Sequence, residues 1–153
     1  MRYWLIKSEP DVFSIDDLAK VKHEPWTGVR NYLARNYMWK EMKPGDLALF
    51  YHSNAKPPGI TGIARVAGLP SPDATQFDKK SEYFDPKAKP ETPRWWHVDF
   101  EFVAKFKEML TLEAIKADSA LTEMIVCQRG SRLSITPVDP LHFKRVCKLA
   151  GFK

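Results

Sequence analysis

The stretch RYWLIK, residues 2–7, decides the architecture of this chain. Four consecutive apolar residues, from Tyr3 to Ile6, give it apolar side chains on both faces, because successive residues of a β-strand point to opposite sides. A strand that is apolar on both faces is typical of the interior of a covered sheet. We therefore predict a central strand at this position.

Four more segments have the composition of strands, and HVDFEFVAKF alternates apolar and mostly polar residues from Val98 onward. They are DLALFYHS (46–53), ITGIARVAG (60–68), HVDFEFVAKF (97–106) and SRLSITPV (131–138). The strands are mixed with helices, but they do not alternate with them as in a βαβ fold. This pattern predicts an α+β protein with a small curved sheet or partly closed barrel flanked by helices.

The helices are marked by capping residues. Ser14 precedes a short helix and has Asp17 three residues further on, which is the pattern of a helix N-terminus. A second helix is predicted at about residues 31–41, and one or two short helices at about residues 111–126. The last helix has three end signals: Asp139 as its cap, Pro140 at its first position and Gly151 just past its end.

A long irregular excursion separates the third strand from the fourth. Residues 68–94 contain five prolines and many charged residues, and no strand or helix pattern. Loops of this length are uncommon in compact domains and are often functional or mobile.

The charge of the chain is unevenly distributed. The 153 residues suit a single domain, and their net charge of +5 favours an anionic partner. Residues 26–65 contain six bases and two acids, and residues 129–153 contain six bases and one acid. We expect these two segments to converge after folding, with Arg30 and Arg132 on one side; the alternative is that they do not meet.

The cysteines and the N-terminus exclude several other classes of protein. Cys127 and Cys147 lie in apolar surroundings without a metal-ligand spacing, so we predict reduced core thiols and no metal or other cofactor. The N-terminus lacks the apolar run of a signal peptide, and no segment approaches the length of a membrane span. The sequence therefore predicts an intracellular, cytoplasmic protein without membrane contact, and we expect a monomer.

The segment WTGVRNYLARNYMWKEM, residues 26–42, is both aromatic and cationic, with no acid before Glu41. We predict that its role changes at Asn31, the N-cap of the second helix. Downstream, we expect Leu33, Tyr37 and Trp39 to pack inward while Arg35 lies in solvent. The expectation for Leu33, Tyr37, Trp39 and Arg35 comes from the spacing of these residues along a helix.

Upstream of Asn31, the same segment has the residues of a nucleic-acid site. Gly28 permits a tight turn before the helix, where free N–H groups and Arg30 would attract a phosphate. Trp26, on an irregular segment after Pro25, suits stacking on a nucleobase. The alternative is that Trp26 fills the edge of the core.

Six blocks carry a resemblance that spans about residues 2–147: YWLIKSEP, WTGVRNYLARN, GDLALFYHSN, GITGIARV, FDKKSEYFDPKAKPETPRWWHVDFEFV and SRLSITPV. In this order they resemble the EVE domain family, whose members are similar in fold to PUA and YTH domains. The resemblance implies one domain over residues 1–153, a PUA-like small mixed β-barrel of five or six strands flanked by helices. It also implies a module that binds DNA or RNA and accommodates an extruded modified base, such as a modified cytosine.

The resemblance also implies which residues form the pocket, through three of its blocks and one further arginine. The predicted site consists of Lys7, Ser8, Glu9, Trp26, Gly28, Val29, Arg30, Asn31, Tyr32, His52, Ser53, Asn54 and Arg132. A flipped base needs a flat apolar surface and a few donors and acceptors for its Watson–Crick edge. Trp26 would supply the surface, and Ser8, Asn31 and the Ser53–Asn54 pair would supply the polar groups.

Two other functions remain open on the sequence alone. The aromatic residues of the excursion and its border, Tyr83, Phe84, Trp95 and Trp96, could bind a peptide; alternatively they tie the excursion to the barrel. A nucleic-acid-processing enzyme is the weaker alternative. His52 and Ser53 are adjacent and would point to opposite faces of a strand, so they do not form a nucleophile and its base. We therefore predict that the protein is not an enzyme.

Overall fold

The computed structural model describes residues 1–128 and 133–152. Six strands form one curled sheet: β1 (Tyr3–Ser8), β2 (His23–Pro25), β3 (Leu47–His52), β4 (Gly59–Val66), β7 (Asp99–Thr111) and β8 (Ile135–Val138). Two short strands, β5 (Ser71–Pro72) and β6 (Trp96–His97), pair with each other outside that sheet. The order in the large sheet is β2-β7-β4-β3-β1-β8. The α+β fold with a curled, mixed sheet is as predicted.

Strand β1 is an interior strand because it pairs on both sides. It runs parallel to β3, with Leu5 opposite Leu49, and antiparallel to β8, with Leu5 opposite Thr136. Its side chains alternate between two hydrophobic clusters: Trp4 and Ile6 belong to the first and Leu5 to the second. The prediction of a central strand at RYWLIK is confirmed.

Helices cover both faces of the large sheet. They are α1 (Ile15–Val21), α2 (Tyr32–Asn36), α3 (Leu112–Ala117) and α4 (Pro140–Ala150). Helices α1 and α2 contribute buried residues to the first cluster, which includes Ile15 and Ala34. Helices α3 and α4 contribute to the second, which includes Ile115 and Phe143. No helix in the described part of the chain is both long and apolar enough to cross a membrane.

The helix ends confirm the predicted capping residues. Ser14 Oγ accepts a hydrogen bond from the backbone N–H of Asp17 at 3.1 Å, and the Asp17 carboxylate accepts one from the Ser14 N–H at 2.8 Å. These reciprocal bonds form a capping box. Asp139 caps α4 through the N–H of Leu141, and Gly151 ends it at a φ of 73°.

Of the three residues predicted to pack inward from the second helix, Tyr37 does so, against the first cluster and 5.3 Å from the ring centroid of Trp4, whereas the prediction is wrong for Leu33 and Trp39. The buried positions are Ala34, Met38 and Met42, whereas Leu33 is 45% exposed. Trp39 is half-buried and stacks on Trp96 at a centroid distance of 4.7 Å instead of entering the core. A π-helical turn, Tyr37–Glu41, follows α2. The small Ala34 and the flexible methionines lie in the core, while Leu33 and Trp39 remain nearer the surface.

Arg35 is half-buried, contrary to the expectation that it lies in solvent. Its guanidinium lies 4.6 Å from the ring centroid of Tyr32 and 5.4 Å from that of Trp39. Nη1 donates to the carbonyl oxygen of Arg94 at 2.8 Å. Arg35 therefore links α2 to the end of the proline-rich excursion through cation–π and hydrogen-bond contacts.

The excursion is folded back onto the sheet by a buried amide. Gln76 is fully buried, and its Nε2 donates to the carbonyl oxygens of Asp73 and Trp95 at 2.7 and 2.8 Å. Its Oε1 accepts from the N–H groups of Arg94 and Trp95. One side chain thus joins both ends of the excursion, because an amide offers donors and acceptors together.

The two cysteines carry free thiols. Cys147 is buried, as predicted, and Cys127 is half-buried. Burial raises the pKa of both thiols, which disfavours the reactive thiolate.

Candidate functional site

A cavity of about 390 Å³ opens where the end of β1, the segment from β2 to α2 and the excursion meet. Its volume is within the range of small-molecule sites, which is roughly 300–1,000 Å³. Its lining combines aromatic and aliphatic side chains with one acid, two bases and two serines. The residues are Lys7, Ser8, Val12, Phe13, Glu24, Pro25, Trp26, Thr27, Gly28, Val29, Arg30, Tyr83 and Ser134.

Trp26 lines this cavity and is also anchored in the core. Its ring makes edge contacts with Phe13, Phe50 and Phe100 at centroid distances of 6.1, 5.8 and 5.5 Å. Its backbone N–H donates to the carbonyl oxygen of Val98 at 3.0 Å. The two alternatives for Trp26 are therefore compatible, since one half-buried ring closes the core and faces the cavity.

Gly28 shapes the wall of the cavity through its backbone. Its φ of +84° favours glycine, and a Cβ built there would lie 2.7 Å from Cε2 of Tyr83. The ring of Tyr83 therefore lies directly over the peptide at this position. The N–H of Gly28 donates to Oδ2 of Asp73 at 2.8 Å.

Arg30 is bound within the protein. Its Nη1 lies 3.2 Å from Oδ2 of Asp73, and Nη2 donates to the Tyr83 carbonyl oxygen at 2.7 Å and to Thr75 Oγ1 at 3.0 Å. The exposed fraction of the side chain is 22% for Arg30 and 1% for Asp73. The Gly28 N–H and the Arg30 side chain, predicted to hold a phosphate, thus contact an internal carboxylate.

The environment of Asp73 favours its charged form. Burial acts to raise the pKa of this carboxyl, but hydrogen bonds from Thr75, from the N–H of Gly28 and from Arg30 outweigh it and lower the pKa. A buried carboxylate is tolerated when it is paired and hydrogen-bonded in this way. Asp73 therefore fixes the turn before α2 to the excursion.

Lys7 and Glu24 differ from the bonded pair of Arg30 and Asp73 in their hydrogen bonding. Burial lowers the pKa of the Lys7 ammonium. Burial, followed by the charge of Asp99, raises the pKa of the Glu24 carboxyl, while His23 opposes the shift. Within the described residues, neither side chain has a hydrogen bond or an ion pair; Lys7 Nζ lies 5.9 Å from the ring centroid of Tyr51. Both residues contribute to the lining of the cavity, and the Lys7 ammonium lies on the side of Tyr51, a member of the second cluster. Charged residues with shifted pKa values in a cavity are the pattern of a ligand site.

The two serines of the cavity form hydrogen bonds with backbone groups of neighbouring segments. Ser8 Oγ donates to the carbonyl oxygen of Phe13 at 2.5 Å, which leaves its lone pairs for another donor. The Ser134 carbonyl oxygen accepts from the N–H of Lys7 at 2.8 Å. This bond brings the segment before β8 to the cavity.

Six of the predicted site residues line the cavity: Lys7, Ser8, Trp26, Gly28, Val29 and Arg30. Glu9 and Asn54 hydrogen-bond each other at 3.2 Å outside the lining. The Ser53 N–H donates to the Ser8 carbonyl oxygen at 3.0 Å, so Ser53 supports the cavity only through its backbone. Arg132 lies outside the described residues, and so does the predicted convergence of Arg30 with Arg132.

The other predicted residues have structural contacts elsewhere. Asn31 Oδ1 accepts from the N–H of Ala34 at 3.0 Å, as an N-cap. Tyr32 stacks on Trp95 at a centroid distance of 4.9 Å. The imidazole Nε2 of His52 accepts from the N–H of Ile15 at 3.1 Å, and burial lowers its pKa, which favours the neutral ring that can accept.

Several lining residues were not predicted from the sequence: Val12, Phe13, Glu24, Pro25, Thr27, Tyr83 and Ser134. Glu24 follows the first helix, in a segment for which no strand was predicted; this segment forms β2, where Glu24 pairs with Phe100. Tyr83 and the supporting Asp73 come from the proline-rich excursion. Its unusual length, and its aromatic residues including Tyr83, were the sequence signals that pointed to a function there.

A second cavity, of about 490 Å³, lies beside α4 and is more apolar. Its lining consists of Tyr3, Phe143, Lys144, Cys147, Lys148, Gly151 and Phe152. Among the described residues its charged lining groups are the two lysines, without an acid such as the one that accompanies the bases near Trp26. The cavity at Trp26 is therefore the better candidate for a polar, aromatic ligand.

A curled mixed sheet with helices on both faces and a ligand-sized cavity beside a half-buried tryptophan defines an α+β binding fold of the half-barrel class. The sequence places it more closely. The EVE domain model matches residues 2–149, and the chain belongs to the EVE domain family, as the sequence blocks predicted.

Relatives of known sequence and structure agree with this assignment. Human thymocyte nuclear protein 1 is 39% identical over 166 residues, which cover 96% of this chain and 73% of that protein. The solved structure of a hypothetical protein from Leishmania major is 48% identical in sequence, with a TM-score of 0.93. The alignment covers 99% of this chain and 95% of that chain. Human THYN1, solved in complex with 5-methylcytosine-containing DNA, is 37% identical with a TM-score of 0.91, and 100% and 99% of the two chains are covered.

Proposed function

We propose that this protein is a nucleic-acid-binding module that accommodates an extruded modified base, a 5-methylcytosine of DNA, in the cavity at Trp26. The observation that carries the proposal is the aromatic and charged cavity in a fold that aligns over its whole length with human THYN1, which was solved with 5-methylcytosine-containing DNA. A fold alone does not imply a function, so the chemistry of the cavity must support the same conclusion.

The cavity has the groups that an extruded base requires. Extrusion costs a few kcal/mol, and stacking on an aromatic side chain returns roughly 1–3 kcal/mol. The rings of Phe13, Trp26 and Tyr83 provide apolar surface in the lining. Lys7 and Glu24 provide a donor and an acceptor for the base edge. The remaining binding energy would come from contacts with the sugar–phosphate backbone.

The bound pair Arg30–Asp73 has a supporting role in this proposal. Its charges neutralise each other, and its hydrogen bonds hold Gly28, Thr75 and the Tyr83 peptide. Arg30 therefore positions the wall of the pocket, and among the described lining residues Lys7 is the cation without an ion pair that could contact the nucleic acid.

Titration of short duplexes that differ only in a central cytosine or 5-methylcytosine tests the proposal. We expect tighter binding of the methylated duplex, and a negative slope of log affinity against log salt, because phosphate contacts release counterions. Trp26→Phe should weaken binding of the methylated duplex by about tenfold, since it removes stacking area. Equal affinity of the wild-type protein for both duplexes would contradict the proposal.

Trp39→Phe is the matched control for this experiment. Trp39 stacks on Trp96 and does not line the cavity, so its substitution should leave the preference between the two duplexes unchanged. Thermal unfolding of both variants separates loss of binding from loss of folding. A similar loss of preference in both variants would place the base elsewhere.

We also propose that the protein binds nucleic acid without catalysing a reaction on it. In this proposal residues 1–153 form one domain, and the protein acts as a monomer. The imidazole of His52 is engaged with α1, and the two tryptophans at the border of the excursion are engaged within the protein: Trp95 is buried, and Trp96 is stacked on Trp39. These contacts favour binding of nucleic acid over a peptide-binding surface at the excursion. Incubation of the pure protein with methylated DNA or RNA should leave strands and bases intact; cleaved or base-free product would contradict this part.

A further inference from the structure

Glu24 is an acceptor of the cavity that no donor among the described residues satisfies. Its side chain lines the cavity, and within the described residues it has neither a hydrogen bond nor an ion pair. Its position is fixed by the pairing of β2 with β7, in which Glu24 lies opposite Phe100. A half-buried carboxylate without a partner is costly, because water no longer solvates it fully.

The surrounding charges do not offset that cost directly. The neighbouring acid Asp99 is bonded to the imidazoles of His23 at 2.9 Å and His97 at 3.2 Å. Burial, and after it the charge of Asp99, disfavours the ionised form of Glu24. A ligand that brings an N–H donor to Glu24 would therefore gain a contact that none of the described residues provides.

The chemistry of the lining specifies where on a base such a donor lies. A carboxylate accepts hydrogen bonds, and the ammonium of Lys7 only donates them. Cytosine presents an exocyclic amine beside ring and carbonyl acceptors, and glutamate characteristically accepts from that amine. Thymine has the same methyl group as 5-methylcytosine but places a carbonyl oxygen at this position, where it would face another acceptor.

We propose that Glu24 is the specificity-determining residue of the pocket and accepts a hydrogen bond from the exocyclic amine of the extruded base, so that cytosine and 5-methylcytosine are admitted and thymine is rejected. This inference rests on the proposed function. The role of Glu24 adds a second criterion for the choice of base, the exocyclic amine, to the methyl group of the proposed function. The amine and the methyl group would be recognised by different parts of the lining. Lys7 would donate to an acceptor on the same base or its backbone.

Titration of three duplexes with a central C·G, 5-methylcytosine·G or T·G pair separates the two criteria. Thymine leaves a mismatch more easily than 5-methylcytosine leaves a pair, but this difference is the same for every protein variant and cancels when the variants are compared. Glu24→Gln replaces the acceptor with an amide that can also donate. We expect it to shift the affinity ratio of 5-methylcytosine to thymine toward thymine by about tenfold.

Glu101→Gln is the matched control. Glu101 follows Phe100 on the strand that pairs with β2, and its partner is Arg65 at 3.3 Å, outside the cavity. The control should leave the ratio unchanged. If Glu24→Gln does not fold, as judged by thermal unfolding, Glu24→Ala tests the same ratio by removing the acceptor.

The outcomes distinguish this inference from the proposed function. A ratio that stays within about twofold in the Glu24 variant, or that shifts equally in the Glu101 variant, overturns the role of Glu24. Equal wild-type affinity for C·G and 5-methylcytosine·G, with the ratio shift intact, overturns recognition of the methyl group and leaves the role of Glu24 standing. Absence of binding to all three duplexes overturns both.

Discussion

Two acid–base sets beside Trp26 show opposite chemistry. Asp73 and Arg30 are bonded to each other and to the surrounding backbone, and the carboxylate is almost completely buried. Glu24 and Lys7 face the cavity, and among the described residues they lack such partners. The first set uses its hydrogen-bonding capacity to hold the wall in place. The second retains its capacity for a ligand, at a cost in stability that functional sites commonly carry.

Among the substitutions that test this comparison, replacement of Asp73 should lower the unfolding free energy most. Asp73→Ala leaves Arg30 and the Gly28 N–H without their acceptor, and loss of one partner of a buried pair costs about 3–5 kcal/mol of unfolding free energy. Chemical denaturation measures this value. Asp16→Ala is the control, because its 2.7 Å ion pair with Lys105 is exposed and is expected to contribute less than about 1 kcal/mol. Equal losses would show that Asp73 is not the support of the wall.

Trp26 connects the two sets, since it lines the cavity and precedes the Gly28 turn by two residues. Trp26→Ala should lower the unfolding free energy by about 3 kcal/mol, near the low end for a core aromatic, because the ring is half-buried against Phe13, Phe50 and Phe100. Trp39→Ala should cost about 1–2 kcal/mol, since it loses mainly the stacking on Trp96. A larger loss for Trp39 would restore the original expectation that it anchors the helix in the core.

Substitution of Gly28 tests how tightly the wall held by Arg30 and Asp73 packs against the ring of Tyr83. Gly28→Ala combines a positive φ with a contact that displaces the Tyr83 ring, and should cost about 2–3 kcal/mol. Gly45→Ala has a similar φ of +96° but open space around the added Cβ, so it should cost about 1–2 kcal/mol. The difference between the two variants isolates the contact with Tyr83. Identical values would mean that the ring moves aside freely.

Glu24→Gln should have the smallest effect on stability and the opposite sign. The pKa of this carboxyl is raised on folding, so its ionisation disfavours the folded state at neutral pH. The variant should therefore be more stable than the wild type by at most about 1 kcal/mol at neutral pH. As pH falls below the usual pKa of 4.5, Glu24 is protonated in both states and the difference should disappear.

The pH profile of Asp73 provides the contrast. Its pKa is lowered on folding, so its contribution is fully present above the usual value of 3.8 and is lost as pH falls through the folded value. Thermal unfolding of the wild type and each variant across this range records both profiles. A Glu24 variant that is less stable than the wild type at neutral pH would show that Glu24 supports the fold.

Much of the fold could be predicted from local sequence. Rules that involve neighbouring residues predict the continuous apolar run of β1, the apolar alternation of β7, the capping box at Ser14 and the final helix between Asp139 and Gly151. The inner face of α2 could not be predicted. The choice between the stripe of Leu33 and that of Ala34 depends on how closely the helix approaches the sheet and on the π-helical turn that follows.

The strand pattern, the family and the importance of the segment from Trp26 to Arg30 could be predicted from the amino-acid sequence. Which charged residues line the cavity depends on contacts between distant parts of the chain. Asp73 is 45 residues from Gly28, and Glu24 faces the cavity because β2 pairs with a strand some 75 residues away. Charged residues look alike in sequence, and their role depends on whether a distant group has already satisfied them. For this reason Arg30 was predicted as a phosphate ligand although it binds Asp73, and Glu24 was not predicted at all.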